Sequence, residues 1–490
     1  MASDDENIEP DLIDYFEDDE MKNIDCVRFI IDSQNYEAGE KRKAPALEEK
    51  KCRPYVERKT HARRDPKSTH WWLDYVVDAE RTWRDPGHRN GKLFKRRFCL
   101  SFLSVHELVQ KISEPEHSFW RESKDAVGRS SSPIHLLVLG SLRILTRNVT
   151  LDDLFEETYI SAEVHRTFFK LFMRWYATTV FPAVVRMPKL HELHANGIEF
   201  EAAGFPGFVC SVDCVHVRVW GVSANLKQVS TGKEKFPSRV FEVSVNHRGM
   251  ILSATKGFYG SVMDRSIVRF DGAMVDMYNG CYKDYKFSIY DENGVLKEVS
   301  GAYAICDNDY HRWPTMLEPT KICEGDEYNW SEMLESLRKD IECCFGQLKQ
   351  EFAILKYGCR YSSLELVDDI FLTCCAIHNQ RKIIQGSDEV WEMNEEIREE
   401  NDGDLPQNEA AVFRRMNENA RLNAVPEAHG GGIGPAEHVV VYDNNAEDNV
   451  THKIVKSRMI THFKYANRKR EVVWPKRNGV VINYVVATDR

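Results

Sequence analysis

Apolar positions between residues 94 and 186 recur every three or four residues, the period of helices packed on one face. Ser104-Val105-His106-Glu107 has the form of a capping box, and the helix behind it carries Leu108, Val109 and Ile112. Ser132-Pro133 predicts a second start, with Leu136, Leu137, Leu139, Leu142 and Leu145 on its apolar side and a break at Asn148 and Val149. Thr150 then caps a short helix, Leu151 to Glu157. Ser161 caps a longer one whose core face is Val164, Phe168, Leu171, Phe172 and Trp175.

The pattern changes at 208. Phe208 to Val212 is continuously apolar, Asp213 follows, and Val215, Val217 and Val219 alternate with polar residues, as strands do. Arg239–Val245 and Met250–Lys256 flank Asn246-His247-Arg248-Gly249, and residues 286–299 fold back about Asp291-Glu292-Asn293-Gly294; both are hairpin signals. Asp264 falls at a loop or helix start. A further apolar run, Ala302 to Cys306, ends on Asp307 and Asp309. Ser331 is placed to cap a long helix with the stripe Leu334, Leu337, Ile341, Phe345, Leu348 and Phe352. The expected class is α/β: a ribonuclease H-like mixed sheet, with strands first antiparallel and then a later strand and helix, preceded by an all-helical segment. The divisions are 1–68, a charged disordered tail; 69–200, helical; 201–385, the sheet domain; and 386–490, an acidic linker and basic tail.

Composition adds partners to this outline. The 490 residues carry a net charge of -11, which alone argues against nucleic acid, yet the charge is sorted into blocks. Residues 41–67 hold eleven Lys/Arg against four acids, and 453–477 hold nine against one. The first block contains a basic cluster at 40–54 of the kind that directs nuclear import. The second interleaves bases with aromatics, which suits either phosphate tracking or a solvated tail. The 13 cysteines form no C-x-x-C pair, so free thiols in a reducing compartment are expected and no zinc module is recognised. No apolar run is long enough for a membrane span. The tight turn before 161–175, with His165, Arg166, Lys170 and Arg174 on the second helix, resembles a helix-turn-helix. A plain bundle with solvated bases is the other reading.

The acids suggest chemistry. Asp213 and Asp264 precede Asp307 along the chain, and Glu342 follows it by 35 positions, on the long helix, beside Arg338 and Lys349. Any one aspartate suits a turn or cap. A cluster is harder to explain, because carboxylates brought together repel unless a cation or a shared proton joins them. Magnesium or manganese held by three or four carboxylates is the arrangement that cleaves phosphodiesters.

The motifs SVDCVHV (211–217), GSVMDRSIV (260–268), AICDNDYHRWP (304–314), RKDIECCFGQLKQEFAIL (338–355) and CAIHNQ (375–380) resemble, in order, the DDE endonuclease domain of PIF/Harbinger-type transposases, plant-transposon-protein branch. The resemblance implies Asp213, Asp307 and Glu342 as the catalytic triad and Asp264 as a further ligand of Mg2+ or Mn2+. Arg338 and Lys349, with Arg166, Lys170 and Arg174, are the expected DNA contacts. It further implies a nuclear homo-oligomer acting on transposon ends and target DNA, with a Myb-like protein as partner. Two positions depart from the family. Asn308-Asp309 stands where glycine is usual, so Asp309 competes with Asp307. Glu335 stands where related bacterial enzymes have tyrosine. His216 keeps its place, as a ligand-orienting residue or as a simple packing histidine.

Overall fold

The computed structural model describes residues 64–77, 89–114, 119–120, 130–321, 323–384 and 446–473. The basic cluster at 40–54, the acidic run 388–404 and the basic residues past 473 lie outside them.

After short helical turns over 66–77 come five longer helices: α1 (Arg89–Phe98), α2 (Phe102–Ser113), α3 (Ile134–Arg147), α4 (Leu151–Thr158) and α5 (Ala162–Trp175). Their ends show where local chemistry decides. Thr150 and Asp153 form a reciprocal capping box, each side chain accepting from the other's backbone N–H at 3.2 and 2.9 Å. Such a cap contributes about 1 kcal/mol. For α2 the cap is Ser101, not Ser104: Ser101 accepts from the Ser104 N–H at 3.1 Å, and Ser104 is buried within the first turn. α3 begins one residue later than its Ser-Pro signal suggests, with Pro133 itself in the cap position. Asn148 ends it in the left-handed region, as its short polar side chain permits.

α4 and α5 are joined by a tight turn in which Tyr159 takes a φ of 54°. The core face of α5 is rotated from the expected one. Leu171 is exposed, whereas His165, Phe168, Phe169, Phe172 and Met173 are buried. His165 is therefore no surface base. Its ring bonds the Thr158 hydroxyl at 2.8 Å, and a Cβ on Gly140 of α3 would meet it at 2.8 Å. Burial lowers its pKa to about 4, so it stays neutral.

α6 (Leu193–Ala202) leads into the sheet. Its strands are β1 (Phe208–Arg218), β2 (Ser238–Val245), β3 (Ile251–Ala254), β4 (Phe258–Tyr259), then, after α7 (Gly272–Tyr278) and a separate hairpin β5 (Lys286–Tyr290) and β6 (Leu296–Ser300), β7 (Tyr303–Ile305) and β8 (Met316–Leu317). The order is β3-β2-β1-β7-β8, with β4 also on β2. β1, β2 and β3 pair antiparallel, while β1–β7 and β7–β8 are parallel. Both predicted hairpins form with glycine at positive φ, Gly249 at 74° and Gly294 at 71°, where a side chain would be strained. Three helices follow: α8 (Gly325–Glu351), α9 (Ala353–Tyr357) and α10 (Leu364–Ile384). α8 starts two turns before Ser331, which is buried inside it and accepts from the Thr320 N–H.

The sheet separates two cores. Val215, Val217, Phe241 and Val243 on one side pack with α3, α5, α10 and the second half of α8; Phe241 stacks on Phe371 at 3.9 Å. On the other, Val209, Val212, Ala304 and Ile305 meet α6, α7, Trp313 and Trp330. The predicted Leu334-to-Phe352 stripe is buried throughout and contributes to both.

Residues 446–468 differ from a tail: they form α11, with Met459 and Phe463 buried in the second core. Each large apolar side chain so buried contributes about 1.5–3 kcal/mol. His452 and Lys456 hold Glu318 at 2.9 and 2.8 Å. No described helix is long and apolar enough to cross a membrane.

Candidate metal and nucleic-acid site

The parallel β1–β7 pair aligns Ser211 with Ile305, so Asp213, within β1, and Asp307, just past the end of β7, fall two residues later at the same level. This is why residues distant in sequence share a field. Asp213 is mostly buried, and burial is the first reason its carboxyl is pushed up to about 6; the Cys214 N–H and Arg338 oppose that shift, and the charges of Asp264 and Asp307 add to it. Asp307 is half-buried and accepts from the Asn308 N–H at 2.6 Å. Asp309 is exposed, and Asp307 is the one whose charge acts on Asp213. The turn forms without glycine because none of its residues needs a positive φ.

Asp264 opens a four-residue helix and is bound by Lys233 at 3.0 Å. Gly232 allows this: a Cβ there would meet the Gly260 carbonyl oxygen at 2.0 Å, so only glycine lets the two loops touch. Glu342 is on the exposed side of α8 and reaches the group through Arg338. That guanidinium donates to Glu342 at 2.9 Å and to Glu335 at 2.7 and 2.9 Å, and faces Asp213 at 3.5 Å. The hydrogen bonds to Glu335 are the main reason its pKa is raised. Arg338 is thus engaged by three carboxylates. Lys349, also on α8, is half-buried and within electrostatic range of His216.

His216 bonds Ser238 Oγ through Nδ1 at 3.0 Å, and its Nε2 is buried without a partner among the described residues. Burial, then the Lys233 charge, lowers its pKa. The basic residues of α5 sit apart in chemistry from this group. Arg166 pairs with Glu163, Arg174 with Asp369 at 3.5 Å, and Lys170 is exposed.

Three features escape sequence reasoning. Glu335 reads in the sequence only as a departure from a tyrosine, not as the partner of Arg338; its i, i+3 spacing on the predicted helix is the available signal. Lys233 lies in a loop with no periodicity. Glu242 stands opposite Cys214 in the β1–β2 register, fully buried, in the field of Asp271, the cap of α7. Burial, then the Asp271 charge, holds Glu242 well above the carboxylate range. The CAIHNQ stretch proves to be glue. Asn379 accepts from the Ile251 N–H and donates to the Ile251 and Val184 carbonyls, all within 2.9 Å, so α10 occupies the open backbone groups of Ile251 on edge strand β3.

Among the described residues no three His, Cys, Asp or Glu side chains are arranged to grip a metal ion. The donors nevertheless fit a hard divalent cation in kind. Asp213, Asp264 and Asp307 offer only oxygen, and their mutual repulsion is what a cation would relieve.

Residues 183–390, which contain the whole sheet and α8 to α10, match the family described as plant transposon protein. The match supports a transposon-derived protein and points to a transposase-related function. No curated protein matches the chain, and no solved structure does.

Proposed function

We propose that the chain is a DDE transposase of the PIF/Harbinger type, a nuclease that cleaves DNA at transposon ends and joins the freed 3′ hydroxyl to target DNA. The observation that carries the reading is the shared field of Asp213, Asp264 and Asp307 beside Arg338 and Glu342. The strand order β3-β2-β1-β7-β8, antiparallel then parallel, supports a ribonuclease H-like fold. In it the neighbouring third and fourth strands of the path, β1 and β7, deliver Asp213 and Asp307.

Asp213, Asp264, Asp307 and Glu342 would hold Mg2+ or Mn2+, which when bound supplies charge neutralisation at the phosphodiester and an acidified water. The chain's own residues prepare for this. Burial keeps the Asp213 carboxylate poorly solvated and eager for a counter-charge. Arg338 fixes the Glu342 rotamer through two-sided hydrogen bonding with Glu335. Lys349 and Lys233 supply positive charge for the phosphates flanking the scissile bond.

Purified full-length protein with Mg2+ or Mn2+ is expected to nick duplexes bearing its element's terminal repeats. Asp307→Asn combined with Glu342→Gln is expected to reduce nicking to background; nicking that persists in the double variant overturns the assignment. A second reading, DNA binding without cleavage, is favoured by one observation: Glu342 is tied to Arg338 rather than grouped with the aspartates. Metal-independent binding to the repeats with no nicking in either cation would establish it.

A further inference from the structure

Trp220 lies just past the end of β1 and is 59% exposed, an unusual position for the largest side chain. It is not loosely placed. Its indole N–H donates to the Tyr357 carbonyl at 2.9 Å, and its backbone N–H donates to the Cys359 carbonyl at 2.8 Å. Val219 and Cys359 form a parallel bridge, and the Cys359 N–H returns to the Arg218 carbonyl at 2.8 Å. Gly358, at a φ of 94°, is the floor of the indole: a Cβ there would meet Nε1 at 2.8 Å. The polar handle of the ring is therefore consumed internally, and its π surface is what remains to offer.

The Arg218 guanidinium covers one side of that ring at 4.4 Å and is itself backed by Phe236 at 4.3 Å. Beside this stack Tyr357 is 60% exposed, with the Lys356 ammonium 5.6 Å from its ring centre. Neither Arg218 nor Lys356 has a carboxylate partner among the described residues. Rigid open aromatic faces beside unneutralised cations are how proteins hold unpaired nucleotides: bases stack on the rings while the cations take the phosphates. A protein partner would meet the same aromatics, but it has no uniform negative charge to match cations left unpaired.

We infer that Trp220 and Tyr357, with Arg218 and Lys356, form a stacking platform for single-stranded DNA. Along β1, Arg218 is five residues from Asp213, about 16 Å at the strand rise. His216 and Arg218 alternate onto one side of the strand, and His216 lies in the field of Lys233 and Asp264. The odd spacing turns Asp213 to the other side of β1, so the platform meets the carboxylate group through His216 and Asp264, and there it would hold a strand separated near the cut. It rests on the nuclease reading only for that last role; the stacking itself needs no cleavage.

The test is fluorescence anisotropy of full-length protein in EDTA with a labelled single-stranded oligonucleotide and its duplex. Trp220→Ala is expected to weaken single-strand binding by about 5- to 150-fold, with the duplex little affected and the melting temperature unchanged. Trp220→Tyr is expected to retain most of the affinity. Arg218→Gln should weaken binding and flatten its salt dependence, and it serves as the second variant if Trp220→Ala destabilises the fold. A preference for RNA of the same sequence, or wild-type single-strand binding indifferent to Trp220→Ala and Arg218→Gln, overturns the inference. Tight, Trp220-dependent binding in a protein that cuts no DNA would uphold the platform while sinking the nuclease reading.

Discussion

Two arginines in this molecule draw down the pKa of a carboxylate they face, and only one of them prevails. Arg186 holds Glu192 alone, with two hydrogen bonds of 2.7 Å, and those bonds draw the Glu192 carboxyl down to about 2. Arg338 is shared among Glu335, Glu342 and Asp213, and Asp213 is driven up to about 6. Proximity of an opposite charge is common to both. What differs is stoichiometry and solvent. One guanidinium satisfies one half-exposed carboxylate, but it cannot satisfy three while two further aspartates press on a buried one. The first arrangement is closed. The second has negative charge to spare, which is how a site for a cationic ligand differs from an ion pair that serves the fold.

Substitution separates the two most sharply. Asp213→Asn is expected to lower DNA nicking by more than the roughly 100-fold that marks loss of a group merely supporting a metal ligand, while raising stability by roughly 1–3 kcal/mol at pH 7 because a poorly solvated carboxylate is removed. Nicking assays and denaturant unfolding read both; a loss of stability would place Asp213 with the closed pairs. Glu192→Gln should do the reverse, costing about 1 kcal/mol after allowance for its exposure and leaving nicking unchanged.

Titration is the next discriminator. An acid raised in the folded state makes ionisation costly, so the cost at Asp213 is absent below its ordinary value of 3.8 and complete above about 6. Lowering the pH from 7 to 4 therefore stabilises the fold at Asp213. Glu192 runs the other way: its contribution is complete above 4.5 and is lost as the pH falls through about 2. Carboxyl NMR should show midpoints near those two values, with Mg2+ moving only the Asp213 midpoint, and moving it down. The smallest effect is expected from Glu335→Gln. With one competitor gone, Arg338 should bring Asp213 back toward 3.8 by a fraction of the present displacement, and an unmoved midpoint would remove Glu335 from the account.

How much of this could be read beforehand depended on range. Hairpins at 246–249 and 291–294 were legible because asparagine or aspartate with glycine encodes the turn locally. The Leu334-to-Phe352 stripe was legible because period alone defines it. Asp213 and Asp307 were marked by the apolar runs that end on them. Partners set by tertiary contact were not legible: Lys233 on Asp264, the burial of Glu242 in the field of Asp271, the rotated face of α5 that hides His165. For α11 the error was one of period. Bases spaced through 453–470 hid the buried Met459, Phe463 and Ala466, which recur at three- and four-residue steps.

The parallel pairing of Ser211 with Ile305 carries a consequence for synthesis. Asp213 and Asp307 are 94 residues apart and Glu342 lies 35 further on. The helices and the β1–β3 meander are built from contacts nearer in the chain, which form sooner because less loop entropy opposes them. A ribosome-bound chain can thus possess a folded helical shell and three strands while lacking its second aspartate and its glutamate. The acidic centre comes into being only with the last third of the described fold, and a truncated copy ending before α8 would lack Glu342 together with the share of both cores that α8 and α10 supply.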